Sequence, residues 1–166
     1  MKILATDLDR TLLPNGKWPV DDQAISLFNE WTAKQGVLVV YVTGRNLQLT
    51  EQAIEKYGVR FPDILCGDVG TTIRHYIKSE WRMDLGWIDN VHAMSPRWDN
   101  VAIRQAIAEV QGLREQEAIH LNQFKRATMS ITRKPKRLWR KLSNGLVVSL
   151  MRCWSTVSIH KTAMDC

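Results

Sequence analysis

"ATDLDRTLL", residues 5–13, decides how the rest of the chain is read. An apolar run, Ile3-Leu4-Ala5, leads into two aspartates, Asp7 and Asp9, with Thr11 following. An apolar run closed by a polar turn reads as a short buried strand, here over residues 2–6. Two carboxylates just past its end repel each other unless a cation lies between them. Magnesium takes oxygen ligands, keeps several waters and binds one or two carboxylates together with phosphate oxygens. An aspartate so placed can attack phosphorus and form an aspartyl-phosphate. A second carboxylate can protonate the leaving oxygen and then activate water. The bland alternative is a solvated turn, because Asp-x-Asp arises often by chance.

Further along, Pro14, Asn15, Gly16 and Pro19 mark a loop. Asp21 or Asp22 can cap a helix running to about Gln35, with Ala24, Leu27, Phe28 and Trp31 as its predicted buried face and Gly36 at its end. "VLVVYV", residues 37–42, is apolar throughout and reads as a parallel strand buried on both faces. A second helix over 46–57 carries Thr50, Ala53, Ile54 and Tyr57 in one stripe and stops at Gly58. "DILCG", residues 63–67, begins a third strand, and "GDVGTTIRHYI", residues 67–77, reads as a turn into a hairpin. Strand, helix, strand, helix, strand is the pattern of a doubly wound α/β sheet. Such sheets place their chemistry at the carboxyl ends of the strands. Asp7 and Asp9 follow the first strand, and Thr43, Gly44 and Arg45 follow the second, so both sets meet at one edge. Loop N–H groups with Thr43 and Gly44 could hold phosphate oxygens there.

After Asp84 the texture changes to that of a second small module. Ser95 and Pro96 form an N-cap and first-turn pair for a helix to about Val110, with Trp98, Val101, Ala102 and Ile107 as its apolar face. "AIHLNQFK", residues 118–125, begins a further strand. Core packing is the expected use of Trp81, Trp87 and Trp98.

These motifs carry a resemblance. "DLDRTLL" is similar to the Asp-x-Asp-x-Thr motif of the haloacid dehalogenase superfamily, and "VTGR", residues 42–45, resembles its second motif. "FPDILCGDVGTTI", residues 61–73, resembles the sucrose-phosphatase-like branch, whose members carry a cap domain inserted after the third strand. The resemblance covers residues 1 to about 125. It implies a HAD-like, Rossmann-like parallel sheet, here incomplete, with core over 1–84 and the start of an α/β cap over 85–125. It implies Asp7 as nucleophile, Asp9 as general acid/base, and both as ligands of Mg2+. Thr11, Thr43 and Gly44 would bind phosphate, and Arg45 would approach the substrate side; Lys125 would either reach the substrate from a cap strand or stand as an ordinary solvated lysine. The implied substrate is a sugar phosphate resembling sucrose 6-phosphate; mannosyl-3-phosphoglycerate or another small phosphate ester is the alternative. Arg10 departs from the branch, which has glycine there, and fits only if its φ is negative. Two further motifs of the superfamily, a lysine after the cap and an acidic loop, have no clear counterpart. Asp68 in "GDVG" comes before any cap and reads as a hairpin turn, and Lys161 in "IHKTAMDC" lacks the glycine that should follow it.

Residues 1–125 hold 14 Lys+Arg against 16 Asp+Glu, whereas 126–166 hold 9 against 1. Two readings of that basic tail stay open. In one it is out of frame. Back-translated from the third base of the Arg126 codon, Arg126–Ile131 permits Ser-Tyr-Tyr-Glu-Tyr, close to the branch's pattern after its Phe-Lys. In the other it is genuine and, with Trp139 and Trp154, binds a polyanion. The chain then reads as a phosphomonoesterase, a non-catalytic remnant or a basic-tailed binding protein. Without the strands that follow the cap in the superfamily, the first strand has an unpaired apolar edge, which implies low stability.

No window approaches the roughly 18 apolar residues of a membrane span, and no secretory pattern opens the chain. Cys66, Cys153 and Cys166 are few, odd in number and far apart, which suits a reducing cytoplasm. His75, His92, His120 and His160 share no metal-ligand spacing. A small phosphate ester, rather than nucleic acid or a membrane, is the expected partner; oligomeric state is open.

Overall fold

A computed structural model describes residues 1–14, 21, 23–130 and 159–160. Asn15, Gly16, Pro19, Asp22, Trp139, Cys153, Trp154, Lys161 and Cys166 lie outside the described residues. The chain divides into two compact units, Met1–Asp89 and Asn90–Cys166.

The first unit holds β1 (Ile3–Thr6), α1 (Ala24–Gln35), β2 (Leu38–Val42), α2 (Leu47–Tyr57), β3 (Ile64–Gly67), β4 (Thr72–Ile77) and β5 (Glu80–Met83). The strands form one sheet in that same order. β1, β2 and β3 run parallel, with Ala5 opposite Val40 and Val40 opposite Ile64. β4 and β5 add antiparallel as a hairpin. This is the expected α/β sheet.

The helices pack on one face of it. Val39, Tyr41 and Leu65 point inward with Ala53 and Ile54 of α2, and Ile25 and Phe28 of α1 pack against them. The alternate residues of β1 and β2 are less covered: Leu38 and Val40 are half-buried, Val42 is 47% exposed and Ile3 58%. The expectation that residues 37–42 are buried on both faces is therefore corrected, because α1 and α2 both supply the same side. The stripe expected on α2 is observed, with Thr50, Ala53 and Ile54 buried and Tyr57 half-buried. That of α1 is corrected. Leu27 and Trp31 stand outward, 59% and 52% exposed, while Ile25, Phe28 and Thr32 turn toward the sheet. Asn46 caps α2 by accepting the Leu49 N–H at 2.8 Å. The expected Asp21 cap of α1 is corrected: Gln23 holds the cap position without a side-chain cap bond, and the Asp21 carboxylate accepts the Gln23 N–H at 3.0 Å just ahead of the helix. Burial pushes the Tyr41 phenol well up; its hydroxyl donates to the Arg60 carbonyl at 2.7 Å.

α3 (Leu85–Met94) crosses the boundary between the units and has no counterpart in the sequence reading. The second unit then holds α4 (Asn100–Ala108), β6 (Leu113–Glu115), β7 (Thr128–Ser130) and β8 (Ile159–His160). β7 pairs antiparallel with β6 and parallel with β8. The helix expected from Ser95 starts later, because Asp99 is the cap: its carboxylate accepts from Val101 and Ala102. Ser95 instead closes α3, its N–H donating to the Val91 carbonyl at 3.0 Å. Residues 118–125 are not a strand. They form a 3-10 turn, Ala118–His120, and a reversal in which Asn122 and Lys125 exchange backbone hydrogen bonds. Arg126 is built into this unit, pairing with Glu115 at 3.2 Å and donating to Asn100 at 3.0 Å. The buried hydroxyl of Thr128 has no hydrogen-bond partner among the described residues, a cost of about 1–3 kcal/mol.

Candidate active site

Asp7 follows β1 directly, and its carboxylate is exposed. The Thr11 hydroxyl donates to Asp7 Oδ2 at 3.2 Å. The loop between them is closed by one acceptor: the Leu8 carbonyl receives the N–H groups of Thr11, Leu12 and Leu13 at 3.4, 3.1 and 2.7 Å. Leu8 and Leu13 anchor it from below, at 0% and 1% exposure. Arg10 lies in this loop with φ of 65°. The condition of a negative φ is not met. A non-glycine residue in left-handed backbone costs roughly 1–2 kcal/mol, and the buried anchors hold it there.

The second loop leaves β2 beside the first, as the parallel pairing of β1 and β2 requires. Thr43 is buried, its N–H donating to the Cys66 carbonyl at 2.9 Å. Its hydroxyl accepts the Arg45 N–H at 3.2 Å. Gly44 is exposed between them. Arg45 folds back on Asp9. Its Nε donates to both carboxylate oxygens at 3.0 Å, and Nη2 donates to Oδ1 at 2.6 Å. Nη1 donates to the Leu49 carbonyl at 3.0 Å. The two loops thus touch through an ion pair that the sequence reading did not contain.

Asp68 closes the same region from β3. It is buried and lies in a turn into the β4–β5 hairpin, as the sequence suggested. Its N–H donates to the Arg45 carbonyl at 2.8 Å and its Oδ2 accepts from Thr72 at 3.1 Å. Burial lowers the pKa of nearby Arg74, against the pull of Asp68 and Glu51. Burial also pushes the Cys66 thiol up. Trp81 joins a ring cluster with Phe61 and Tyr76 and packs against the core as expected, whereas Trp87 is half-buried and donates to the Gly70 carbonyl. Lys125 lies in the second unit and is buried there rather than solvated.

Among the described residues, no three His, Cys, Asp or Glu side chains gather as a metal centre. The donor set suits magnesium in a narrower way. Asp7 offers an exposed carboxylate, and magnesium is content with one carboxylate, waters and phosphate oxygens. The Asp9 carboxylate is engaged by Arg45.

Comparison with known proteins gives the family. The profile of the family described as Sucrose-6F-phosphate phosphohydrolase matches residues 1–165. The chain belongs to the sucrose-6F-phosphate phosphohydrolase family. A "Putative HAD-like hydrolase" of Nitrosococcus oceani is 33% identical over 143 residues, covering 84% of this chain and 37% of that protein. The sucrose-phosphatase of Synechocystis sp. PCC6803, solved in complex with sucrose and phosphate, superposes with a TM-score of 0.69 at 22% identity. That alignment covers 92% of this chain and 57% of the Synechocystis chain, and it shows a shared HAD-like fold. The chain spans well under two thirds of either relative.

The loops after β1 and β2 hold the "DLDRTLL" and "VTGR" stretches. The family match also runs past residue 125, where the resemblance read from the sequence stops.

Proposed function

We propose that this chain carries part of the catalytic core of a magnesium-dependent phosphomonoesterase acting on a sugar phosphate. One observation supports the reading above others: the Asp7–Leu13 loop and the Thr43–Arg45 loop meet at the carboxyl edge of the sheet, joined by Arg45 and Asp9. Asp7 is the nucleophile. Its exposed carboxylate attacks phosphorus, the ester oxygen departs, and an aspartyl-phosphate forms. Asp9 protonates the leaving oxygen and then takes a proton from the water that hydrolyses the intermediate. For that role the Arg45 guanidinium has to yield Asp9 when substrate arrives. Thr43 and Gly44 receive the phosphate oxygens, with Thr11 steadying Asp7. Asp7 would hold magnesium, which would offset phosphate charge.

The test is phosphate release from a panel of sugar phosphates, with and without Mg2+. Metal-dependent release that Asp7→Asn reduces by roughly four orders of magnitude supports the reading. Release that survives Asp7→Asn, or none in any frame of the gene, would sink it. A reading-frame break after Lys125 is a second proposal. The jump to 9 Lys+Arg against 1 Asp+Glu past residue 125 favours it, and the family match through residue 165 weighs against it. Resequencing the gene decides between them.

A further inference from the structure

The turn between β3 and β4 holds more left-handed backbone than a hairpin needs. Asp68, Val69 and Gly70 have φ of 55°, 61° and 84° in succession. Left-handed residues normally occur singly, and for a β-branched side chain the region is a genuine outlier. Glycine occupies only the last of the three positions. Strain of this kind persists where the surroundings hold it, and it gathers near functional sites.

Its hydrogen bonds show what the shape accomplishes. The Asp68 N–H donates to the Arg45 carbonyl at 2.8 Å, and the Val69 N–H donates to the Thr43 carbonyl at 3.2 Å. Two successive N–H groups therefore grip the two ends of Thr43-Gly44-Arg45. Left-handed turns can aim successive N–H groups into one concavity, whereas in an extended strand alternate residues face opposite ways. The valine side chain covers the middle of the gripped loop, its Cγ2 lying 3.7 Å from where a Cβ on Gly44 would stand. At Gly67 a Cβ would stand 3.0 Å from the Arg45 carbonyl oxygen, so a larger residue would push the turn and the loop apart by a few tenths of an ångström. The turn is braced from behind. Thr71 Oγ1 donates to the Asp68 carbonyl at 2.9 Å, Thr72 Oγ1 to Asp68 Oδ2 at 3.1 Å, Arg74 Nη1 to Thr72 Oγ1 at 3.0 Å, and Trp87 Nε1 to the Gly70 carbonyl at 3.0 Å.

We infer that Asp68 and Val69 are positioning residues, a strained clip that fixes the Thr43–Arg45 loop in its ligand-receiving shape. The inference deepens the phosphatase reading and rests on that loop's role in it. A clip and a plain connector respond differently to Val69→Gly, which removes the strain and the covering side chain but keeps the N–H. For a clip, the unfolding midpoint of the full chain stays level or rises, while exchange of the Arg45 amide hydrogen quickens by about fivefold. Inorganic phosphate, titrated in Mg2+, then binds about fivefold more weakly. Unchanged exchange would overturn the inference, as would a fall in midpoint that accounts for the faster exchange. If glycine there costs the fold, Val69→Asn, which also tolerates left-handed backbone, carries the same comparison. A parent chain that binds no phosphate refutes the phosphate reading alone, and the exchange measurement still decides the clip.

Discussion

The loop after β1 and the turn after β3 both leave a parallel strand through left-handed backbone, at Arg10 in one and at Asp68, Val69 and Gly70 in the other. The first closes on itself. One carbonyl, that of Leu8, gathers three N–H groups, and two fully buried leucines pin the loop to the core. The second directs its N–H groups outward to a neighbouring loop and keeps Val69 38% exposed. Strain in the first is therefore incidental to Arg10, because the leucines alone would fix the loop. Strain in the second is tied to what the turn holds.

Mutations can break or sharpen that contrast. Leu8→Ala should cost about 2–5 kcal/mol, since it empties a fully buried site under the first loop. Urea unfolding measures it, and a loss under 1 kcal/mol would mean the loop is not anchored as described. Thr43→Val comes next. It strips the acceptor from the Arg45 N–H and should cost about 1–3 kcal/mol, with little change if the gripped loop is held from elsewhere. Arg10→Gly should instead stabilise by about 1 kcal/mol, because glycine accepts its φ of 65°. A destabilised Arg10→Gly would show that the arginine side chain contributes more than its backbone costs.

The smallest effect concerns the brace behind the second turn. Asp84 accepts the Trp87 N–H at 2.9 Å at the start of α3, and His75 Nε2 lies 3.3 Å from its other oxygen. The Trp87 N–H, then the His75 hydrogen bond, hold the Asp84 carboxyl below its usual range. The sign follows: a depressed carboxyl stabilises the fold in full above the ordinary carboxylate pKa and loses that contribution as pH falls through its lowered value. The protection factor of the Trp87 amide, the slowing of its exchange relative to the unfolded chain at the same pH, should therefore be steady near neutrality and fall in acid below about pH 4. Asp84→Asn should flatten that dependence while leaving the Leu8 loop untouched. An equal acid response in both regions would erase the contrast.

Much of this was legible from sequence where one signal dominated. The α2 stripe and its stop at Gly58 needed only apolar spacing and a glycine. α1 misled because its inward face includes Thr32, which an apolar count passes over. Its hydroxyl bonds the Phe28 and Asn29 carbonyls of its own helix at 2.8 and 3.1 Å, so burial leaves nothing unsatisfied. α3 escaped notice although Asp84 stands three residues ahead of Trp87, the spacing of a cap. The carboxylates and the Thr43 loop were visible as strand endings on one edge. The contact of Arg45 with Asp9 was not, since it joins residues 36 apart and depends on which way an arginine turns.

Strand order in the sheet is also strand order in the chain. Ile3 meets Leu38, Val40 meets Ile64, and Ile77 meets Glu80. Each strand waits only for the next one to be made. The longest of these closures, Ile3 to Leu38, is still shorter than a pairing that spans a whole domain. The first unit can therefore assemble progressively as it leaves the ribosome, β1 and β2 already paired and α1 docked while Asn90 is still to be added.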